Sequence, residues 1–167
     1  MAAKSARRKK AGKSSKEHPD RVVLASNRRA RRNYVIESVI EAGLALKGSE
    51  VKSLRLQSPT ITDGYARMLG GELWLYGVHI HPLAQASYQN HEPLRRRKCL
   101  VHKRELRKIE DLLKDTGRTC VALSLYFKKQ HVKVELGLGR GRRKADKRQH
   151  EREKEDRTRI RQARGAR

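Results

Sequence analysis

Two segments in the second half of the chain alternate strictly between apolar and polar positions. Thr119–Phe127 is followed after a short gap by His131–Leu138, and both repeat with a period of two. This period is typical of antiparallel strands that bury one face. The pattern predicts two neighbouring strands whose buried positions are Val121, Leu123, Leu125, Phe127, Val132, Val134, Leu136 and Leu138.

A hairpin and a helix are predicted upstream of these strands. Gly64–Leu69 and Glu72–Ile80 are rich in β-forming residues, and the Gly70-Gly71 pair between them suits a tight two-residue turn. Lys103–Asp115 carries apolar residues at helical spacing. The apolar positions of this helix are Leu106, Ile109, Leu112 and Leu113.

The segment Tyr34–Leu46 is ambiguous on periodicity alone. Pairs of apolar residues recur four positions apart, which suits a helix, whereas its β-branched residues and Gly43 suit a strand. Several short strands with one or two helices in one short domain predict a mainly β fold that closes into a small barrel.

The charge of the chain restricts its partners. Its 167 residues include 42 Lys plus Arg and 18 Asp plus Glu, which gives a net charge of +24. Such a charge favours nucleic acid or an anionic membrane as partner. No apolar run approaches the roughly 20 residues of a membrane-spanning helix, and the basic segments lack the apolar face of an interfacial helix. We therefore expect a cytoplasmic, nucleic-acid-binding protein with no membrane partner.

Composition also divides the chain into three parts. Residues 1–20 are basic, small and polar, and we expect them to form a disordered arm. Residues 21–139 carry the hydrophobic patterns and form one predicted domain. Residues 140–167 are too densely charged to bury enough apolar surface to offset the entropy of ordering. We expect them to form a basic tail that is disordered when free.

The residues with reactive side chains suggest no catalytic or metal site. Cys99 and Cys120 are far apart in the sequence and are expected to be buried thiols. His79 and His81 share a strand face without a third metal ligand. Gly137–Gly141 resembles a phosphate loop only superficially, and we expect a flexible exit from the domain there. We predict a protein that is not an enzyme and that uses neither a metal nor a cofactor.

Motifs between Leu24 and Arg148 carry a family resemblance. They are Asn27–Tyr34, Glu41–Gly43, Gly48–Arg55, Asp63–Ala66, Pro93–Leu100, Leu123–Lys128 and Asp146–Arg148. In this order and spacing the sequence resembles small protein B (SmpB), the bacterial family that binds transfer-messenger RNA. The motifs are long enough for the resemblance to be specific.

The resemblance implies both a fold and a function. The fold is an OB-like closed antiparallel β-barrel with a few short helices, in which Tyr34–Leu46 is mainly strand and a helix begins near Ser49. The function is that of an RNA-binding adaptor for trans-translation. Such an adaptor binds the tRNA-like domain of transfer-messenger RNA, supports its delivery by elongation factor Tu, and enters stalled ribosomes with it. We expect a monomer with these partners.

Positions that match the RNA contacts of the family are predicted to form an RNA interface. Guanidinium groups fit phosphate oxygens, and aromatic or apolar side chains cover exposed bases. Arg32 stands where the family commonly has histidine, and Glu41 must pair with a cation or accept hydrogen bonds from a base. The predicted residues are Asn27, Arg28, Arg29, Arg31, Arg32, Tyr34, Glu41, Leu100 and Lys133, with Arg95, Arg97 and Lys98 as a phosphate-facing run.

The tail is expected to act in the ribosome. By resemblance, Asp146, Lys147 and Arg148 lie in the vacant decoding centre, and Ile160 occupies an apolar position near the end of the tail. Ala145 stands where several members of the family have histidine, and Arg161 stands where methionine is common. Charge pairs four residues apart favour a helix over residues 151–163 once the mRNA channel surrounds it.

Two other functions fit parts of the sequence. A ribosomal or assembly protein would have a similar barrel and basic arms, but it would not need the Asp146–Arg148 triplet at a fixed distance from the barrel. An RNA-processing enzyme would need a catalytic constellation, which the sequence does not supply.

Overall fold

In a computed structural model, the described part of the chain comprises residues 21–83, residues 90–143 and Asp156. The predicted arm over residues 1–20 and the predicted tail beyond Arg143, Asp156 apart, lie outside it. The described elements are β1 (Arg21–Ser26), α1 (Arg28–Asn33), β2 (Tyr34–Leu44), α2 (Gly48–Leu56), β3 (Tyr65–Leu69), β4 (Glu72–Tyr76), β5 (Arg97–Leu100), α3 (Lys103–Lys114), β6 (Arg118–Lys128) and β7 (His131–Gly141).

Antiparallel pairings join the strands into a ring. The order along the sheet is β1-β6-β3-β4-β5-β2-β7, and an additional pairing of β6 with β7 closes the circuit. β6 is long enough to pair with β3 near its start and with β1 near its end, while its other edge follows β7. The predicted mainly β class with a few short helices is confirmed, whereas the likeness to an OB barrel stays a prediction.

The core fills the inside of this ring, and β7 supplies one wall of it. Val132, Val134, Leu136 and Leu138 are all buried in the core, as their alternation predicts. Helix α3 also follows its prediction, because Ile109 is fully buried and the other apolar positions of the helix pack against the same core.

A β-bulge in β6 corrects the predicted pattern of that strand. The register with β7 shifts between Ala122 and Ser124, so the alternation changes phase there. Leu125 therefore enters the core of the ring, whereas Val121 and Leu123 form a second cluster with Ala30 of α1. The bulge gives β6 an apolar outer patch, and α1 rests on it.

Glycine explains why the last strand is longer than predicted. β7 continues to Gly141, and Gly137–Gly141 is strand rather than a flexible exit. A Cβ at Gly139 would lie 2.0 Å from the carbonyl oxygen of Val35, so β2 can approach β7 this closely only where there is no side chain. The glycines reflect close strand packing, not a loop.

Other boundaries differ slightly from their predictions. The ambiguous segment is a strand, β2, as the resemblance implies, and α2 begins at Gly48. β4 ends at Tyr76, four residues before the predicted Ile80, because Gly77 turns the chain with a φ of +67°.

A buried ion pair fixes α2 against the ring. Glu50 and Arg97 are both 0% exposed, and Nε of Arg97 donates to Oε1 of Glu50 at 2.8 Å. Arg95 binds the same carboxylate, and the backbone N of Lys47 donates to it at 2.7 Å. Arg97 also donates to the carbonyl of Val78 at 2.6 Å. Burial raises the pKa of Glu50, but the hydrogen bonds that its carboxylate accepts from Arg95, Lys47 and Arg97 outweigh this effect and hold the pKa below its ordinary value.

We expect Glu50→Gln to lower the free energy of unfolding by about 3–5 kcal/mol, because Arg97 would keep its buried charge without a counter-ion. Urea denaturation measures the change. Glu110→Gln is the control, since it removes an exposed carboxylate from α3 and should change stability by less than about 0.5 kcal/mol. A loss below about 1 kcal/mol for Glu50→Gln would show that the pair does not hold the fold together.

Candidate nucleic-acid interface

A groove of about 610 Å³ lies where β2, β5, β7 and α3 meet. Gly43 of β2 pairs with Leu100 of β5 on one side and with Lys133 of β7 on the other. These pairings bring together four residues predicted to contact RNA. Glu41, Lys98, Leu100 and Lys133 all line the groove.

Gly43 leaves room for an apolar side chain in the groove. A Cβ at this position would meet Cβ of Leu100 at 3.3 Å. Leu100 is 54% exposed, so its side chain projects into the groove instead of entering the core. An exposed leucine among charged groups suits contact with the flat face of an unstacked base. Leu100 is therefore not part of the hydrophobic core.

Glu41 organises the cations beside Leu100. It pairs with Lys133, accepts a hydrogen bond from the hydroxyl of Tyr126, and lies 3.4 Å from Nζ of Lys128. Partial burial raises the pKa of Glu41, but the bonds from Lys133 and Tyr126 outweigh this effect and lower the pKa to about 2. Glu41 is therefore charged across the physiological range and holds two lysines at the edge of the groove.

A second network continues from Glu41 along β6 and β7. The guanidinium of Arg21 lies 3.8 Å from the centroid of the Tyr126 ring and binds Glu135 at 2.8 Å. Ser124 donates to Glu135 at 2.6 Å. Burial raises the pKa of Tyr126, and its bond to the Glu41 carboxylate raises it further. These groups hold the Tyr126 hydroxyl aimed at Glu41.

Sequence reasoning missed Arg21, Tyr126, Lys128 and Glu135. A signal for three of them was present, since Tyr126 and Glu135 lie at polar positions of the two predicted strands and Lys128 directly follows the first strand. The chain position of Arg21, at the start of the folded region, gives no comparable signal. Its contact with β6 arises only from the pairing of β1 with the end of that strand.

Helix α1 presents most of the predicted basic cluster to solvent. Arg28, Arg29, Arg31 and Arg32 are exposed on a helix of six residues, and Tyr34 at its end packs against the Val121–Leu123 cluster. Burial raises the pKa of Glu135, but the hydrogen bonds from Ser124 and Arg21 outweigh it and, with a smaller contribution from the charge of Arg31, hold the pKa below its ordinary value. Helix α1 is thus electrostatically linked to the network beside the groove.

Asn27 is an exception in this cluster. It is 6% exposed, and its amide nitrogen donates to the carbonyls of Ile61, Thr62 and Ala122 at 2.9–3.1 Å. Its Oδ1 accepts the backbone N of Ala30 at 3.0 Å, which caps α1. Asn27 therefore positions the helix, and its side chain does not face a ligand.

The run from Arg95 to Lys98 also divides between the interior and the surface. Arg97 is buried with Glu50, and Arg95 is half-buried against the same carboxylate, so neither forms the predicted phosphate-facing run. Lys98 reaches the groove and pairs with Glu72. Arg96, which was not predicted, is exposed, and its guanidinium lies 5.2 Å from the centroid of the Trp74 ring.

The remaining predicted positions have separate outcomes. Asp146, Lys147, Arg148 and Ile160 lie outside the described residues. Both cysteines are buried free thiols, as predicted, and burial raises the pKa of Cys99 to about 12.

Within residues 21–83 and 90–143, no cluster of three or more His, Cys, Asp or Glu could hold a metal ion. Among the described helices, none is long and apolar enough to span a bilayer.

The closed ring of antiparallel strands and the lysines beside an exposed leucine place the chain in a class of small, strongly basic β proteins with a surface fitted to a polyanion. A family model described as SmpB protein matches residues 24–165. The chain therefore belongs to the SmpB protein family, and the resemblance of its motifs is confirmed.

Curated relatives agree with this assignment. The SsrA-binding protein of Leifsonia xyli is 51% identical over 69% of this chain and 73% of its own length. That of Carboxydothermus hydrogenoformans is 49% identical over 69% of this chain and 77% of its own. A solved chain from work on tmRNA-SmpB in the bacterial ribosome is 45% identical, with a TM-score of 0.60, over 72% of this chain and 85% of the solved one.

We expect the side-chain carboxyl of Glu41 to titrate with a midpoint near pH 2, because Lys133 and Tyr126 bind its charged form. The folded pKa lies below the ordinary value of 4.5, so this carboxylate stabilises the fold above about pH 4.5 and the effect is lost as the pH falls towards 2. Carbon-detected NMR of the carboxyl group measures the midpoint.

Lys133→Gln should raise that midpoint, whereas Lys108→Gln on the exposed face of α3 should leave it unchanged. A wild-type midpoint at the ordinary value would show that the Glu41 network does not form in solution.

Proposed function

We propose that this chain is a trans-translation adaptor that binds the tRNA-like domain of transfer-messenger RNA through the groove and α1. The observation that carries the proposal is the exposed Leu100 beside the Glu41–Lys133 pair. Membership of the SmpB family, the names of the curated relatives and the solved tmRNA-SmpB chain support it.

Each part of the groove has a chemical role in this proposal. Lys133 neutralises phosphates together with Lys128, which lies on the other side of Glu41, and Leu100 covers the face of an unstacked base. Each carboxylate oxygen has two lone pairs, so Glu41 can bind its lysines and still accept a hydrogen bond from a base amino group. The arginines of α1 bind phosphates of the neighbouring backbone.

The adaptor needs no reaction of its own. It accompanies the RNA, delivered with elongation factor Tu, to a ribosome stalled on a truncated message. There the ring of strands takes the place of the absent anticodon arm, and the tail, with Asp146, Lys147, Arg148 and Ile160, fills the vacant decoding centre and mRNA channel. A basic cytoplasmic monomer suits this role, because the large positive charge of +24 favours close approach to RNA.

We expect Leu100→Ser to weaken binding to a transcript of the tRNA-like domain about tenfold, because a covered base would lose its apolar contact. Glu41→Gln should also weaken it, although this change makes the protein more positive and would strengthen non-specific binding. Fluorescence anisotropy at about 0.3 M salt, which suppresses non-specific binding, measures both affinities.

Glu110→Gln is the matched control for Glu41→Gln, since it removes an exposed carboxylate from α3, outside the groove. Equal affinities for Glu41→Gln and Glu110→Gln would refute a specific role for the groove carboxylate. An unchanged affinity for Leu100→Ser would refute base contact in the groove.

Truncation after Arg143 should leave affinity for the transcript within a fewfold of the wild type and abolish tagging on stalled ribosomes. The reason is that the groove and α1 lie wholly within the residues retained. Tagging is measured by translating a message without a stop codon in a reconstituted system. Glu41→Gln provides the comparison, since it should weaken affinity for the transcript while the tail stays intact. A truncated chain that still tags at the wild-type rate would disprove the assigned role of the tail.

A further inference from the structure

The outer faces of β3 and β4 carry aromatic side chains that the groove does not use. Tyr65 of β3 lies opposite Tyr76 of β4, and Arg67 lies opposite Trp74. The alternate residues of both strands enter the core, so these side chains point away from it. Arg96 reaches the same surface over Trp74. We define the aromatic face as Tyr65, Arg67, Trp74, Tyr76 and Arg96.

The two tyrosines form a stack that is open to solvent. Their ring centroids are 5.5 Å apart and their planes differ by 15°. Tyr65 is 44% exposed, so much of its surface is free to meet a further ring. A nucleobase can extend such a stack at little entropic cost, because the rings are already ordered against each other.

Tight backbone packing holds this stack in place. Gly77 follows Tyr76 with a φ of +67°, and a Cβ there would lie 2.4 Å from the carbonyl oxygen of Asp63. Gly64 precedes Tyr65, and a Cβ there would meet Cβ of Ala122 at 3.0 Å. The segment Asp63–Ala66 is thus built as a rigid support for Tyr65, although it takes no part in the groove.

The charges of the aromatic face are those of a nucleic-acid surface. Arg67 and Arg96 are exposed, and the guanidinium of Arg96 lies over the Trp74 ring. A guanidinium that lies over a ring can still donate its edge N–H groups to phosphate. The face is also continuous with the groove, because Trp74 pairs with Lys98, which lines it. Adjacent strands are about 4.8 Å apart, so an RNA leaving the groove meets Trp74 next.

We propose that the aromatic face is a second contact site for the RNA held in the groove. An unpaired base of the tRNA-like domain stacks on the Tyr65–Tyr76 pair, while Arg67 and Arg96 bind the adjacent phosphates. The base must be unpaired because only a splayed-out base offers a free ring face. This inference rests on the proposed function and extends it from one subsite to two.

Trp74 provides a direct test, since it is the one tryptophan of the 167-residue chain. The full-length protein is titrated with a transcript of the tRNA-like domain while tryptophan fluorescence and its quenching by neutral acrylamide are followed. We expect saturation with RNA to quench Trp74 and to protect it at least about twofold from acrylamide, because stacked bases cover this face. Full acrylamide access in the bound state would overturn the inference.

Substitutions separate ring stacking from charge. Tyr65→Leu should weaken affinity about tenfold, whereas Tyr65→Phe, which keeps the ring, should bind like the wild type. Arg67→Gln should weaken binding more than Arg107→Gln, which removes the same charge from the exposed side of α3. Equal effects of the two arginine changes would reduce the face to general electrostatics and overturn its role as a site.

The groove variant Leu100→Ser distinguishes the failure of this inference from failure of the proposed function. A wild-type chain that does not bind the transcript refutes the proposed function itself. Binding that Leu100→Ser weakens and a folded Tyr65→Leu does not refutes the aromatic face alone. Tyr65→Leu that binds the transcript normally but loses affinity for ribosomes also refutes it, because the occupant would then be ribosomal RNA. If Tyr65→Leu does not fold, the acrylamide measurement on the wild-type chain tests the inference instead: protection of Trp74 by bound RNA supports the aromatic face, and full access refutes it.

Discussion

The pairing of β6 with β7 is the constraint on which the candidate interface depends. It closes the strands into a ring, and it places Tyr126 opposite Lys133. On its other edge β7 pairs with β2, so that Lys133 lies opposite Gly43, two residues along from Glu41. Glu41, Tyr126 and Lys133 come from three strands, and they meet only because these pairings hold the strands side by side.

The interior of the ring also holds a charged residue, Arg97, together with its counter-ion. Arg97 of β5 lies opposite Leu75 of β4 and faces inward, where Glu50 neutralises it. Its neighbours Arg96 and Lys98 face outward. A single basic run thus serves two purposes by alternation. Arg95 and Arg97 bind Glu50 and hold α2 against the sheet, whereas Arg96 and Lys98 supply cations to the surface.

The sequence predicted those elements of the fold that depend on neighbouring residues alone. The alternation in β7, the apolar spacing in α3 and the Gly70-Gly71 turn all correspond to elements of the structure. The bulge in β6 could not be predicted in this way, because a register shift leaves the composition of a strand unchanged. The strand Gly137–Gly141 was misread since glycine is as typical of a loop as of close strand packing.

Only part of the candidate site could be predicted, because some of its residues have partners that are distant in the sequence. Leu100, Glu41 and Lys133 were found through the family resemblance, and the structure gathers them into one groove. Charge and resemblance could not show that Arg97 and Asn27 turn inward, because their partners are distant in the sequence. Glu50 lies 47 residues from Arg97, and the carbonyl of Ala122 lies 95 residues from Asn27.

The end of β7 has a consequence for whatever follows it in the chain. The backbone N of Arg142 donates to the carbonyl of Asn33 at 2.8 Å, so the chain directly after β7 is bonded to the end of α1. Arg142 is therefore held at the edge of the ring, next to the arginine helix. In the proposed role of the tail, the distance that it can cover is therefore counted from this attachment to α1.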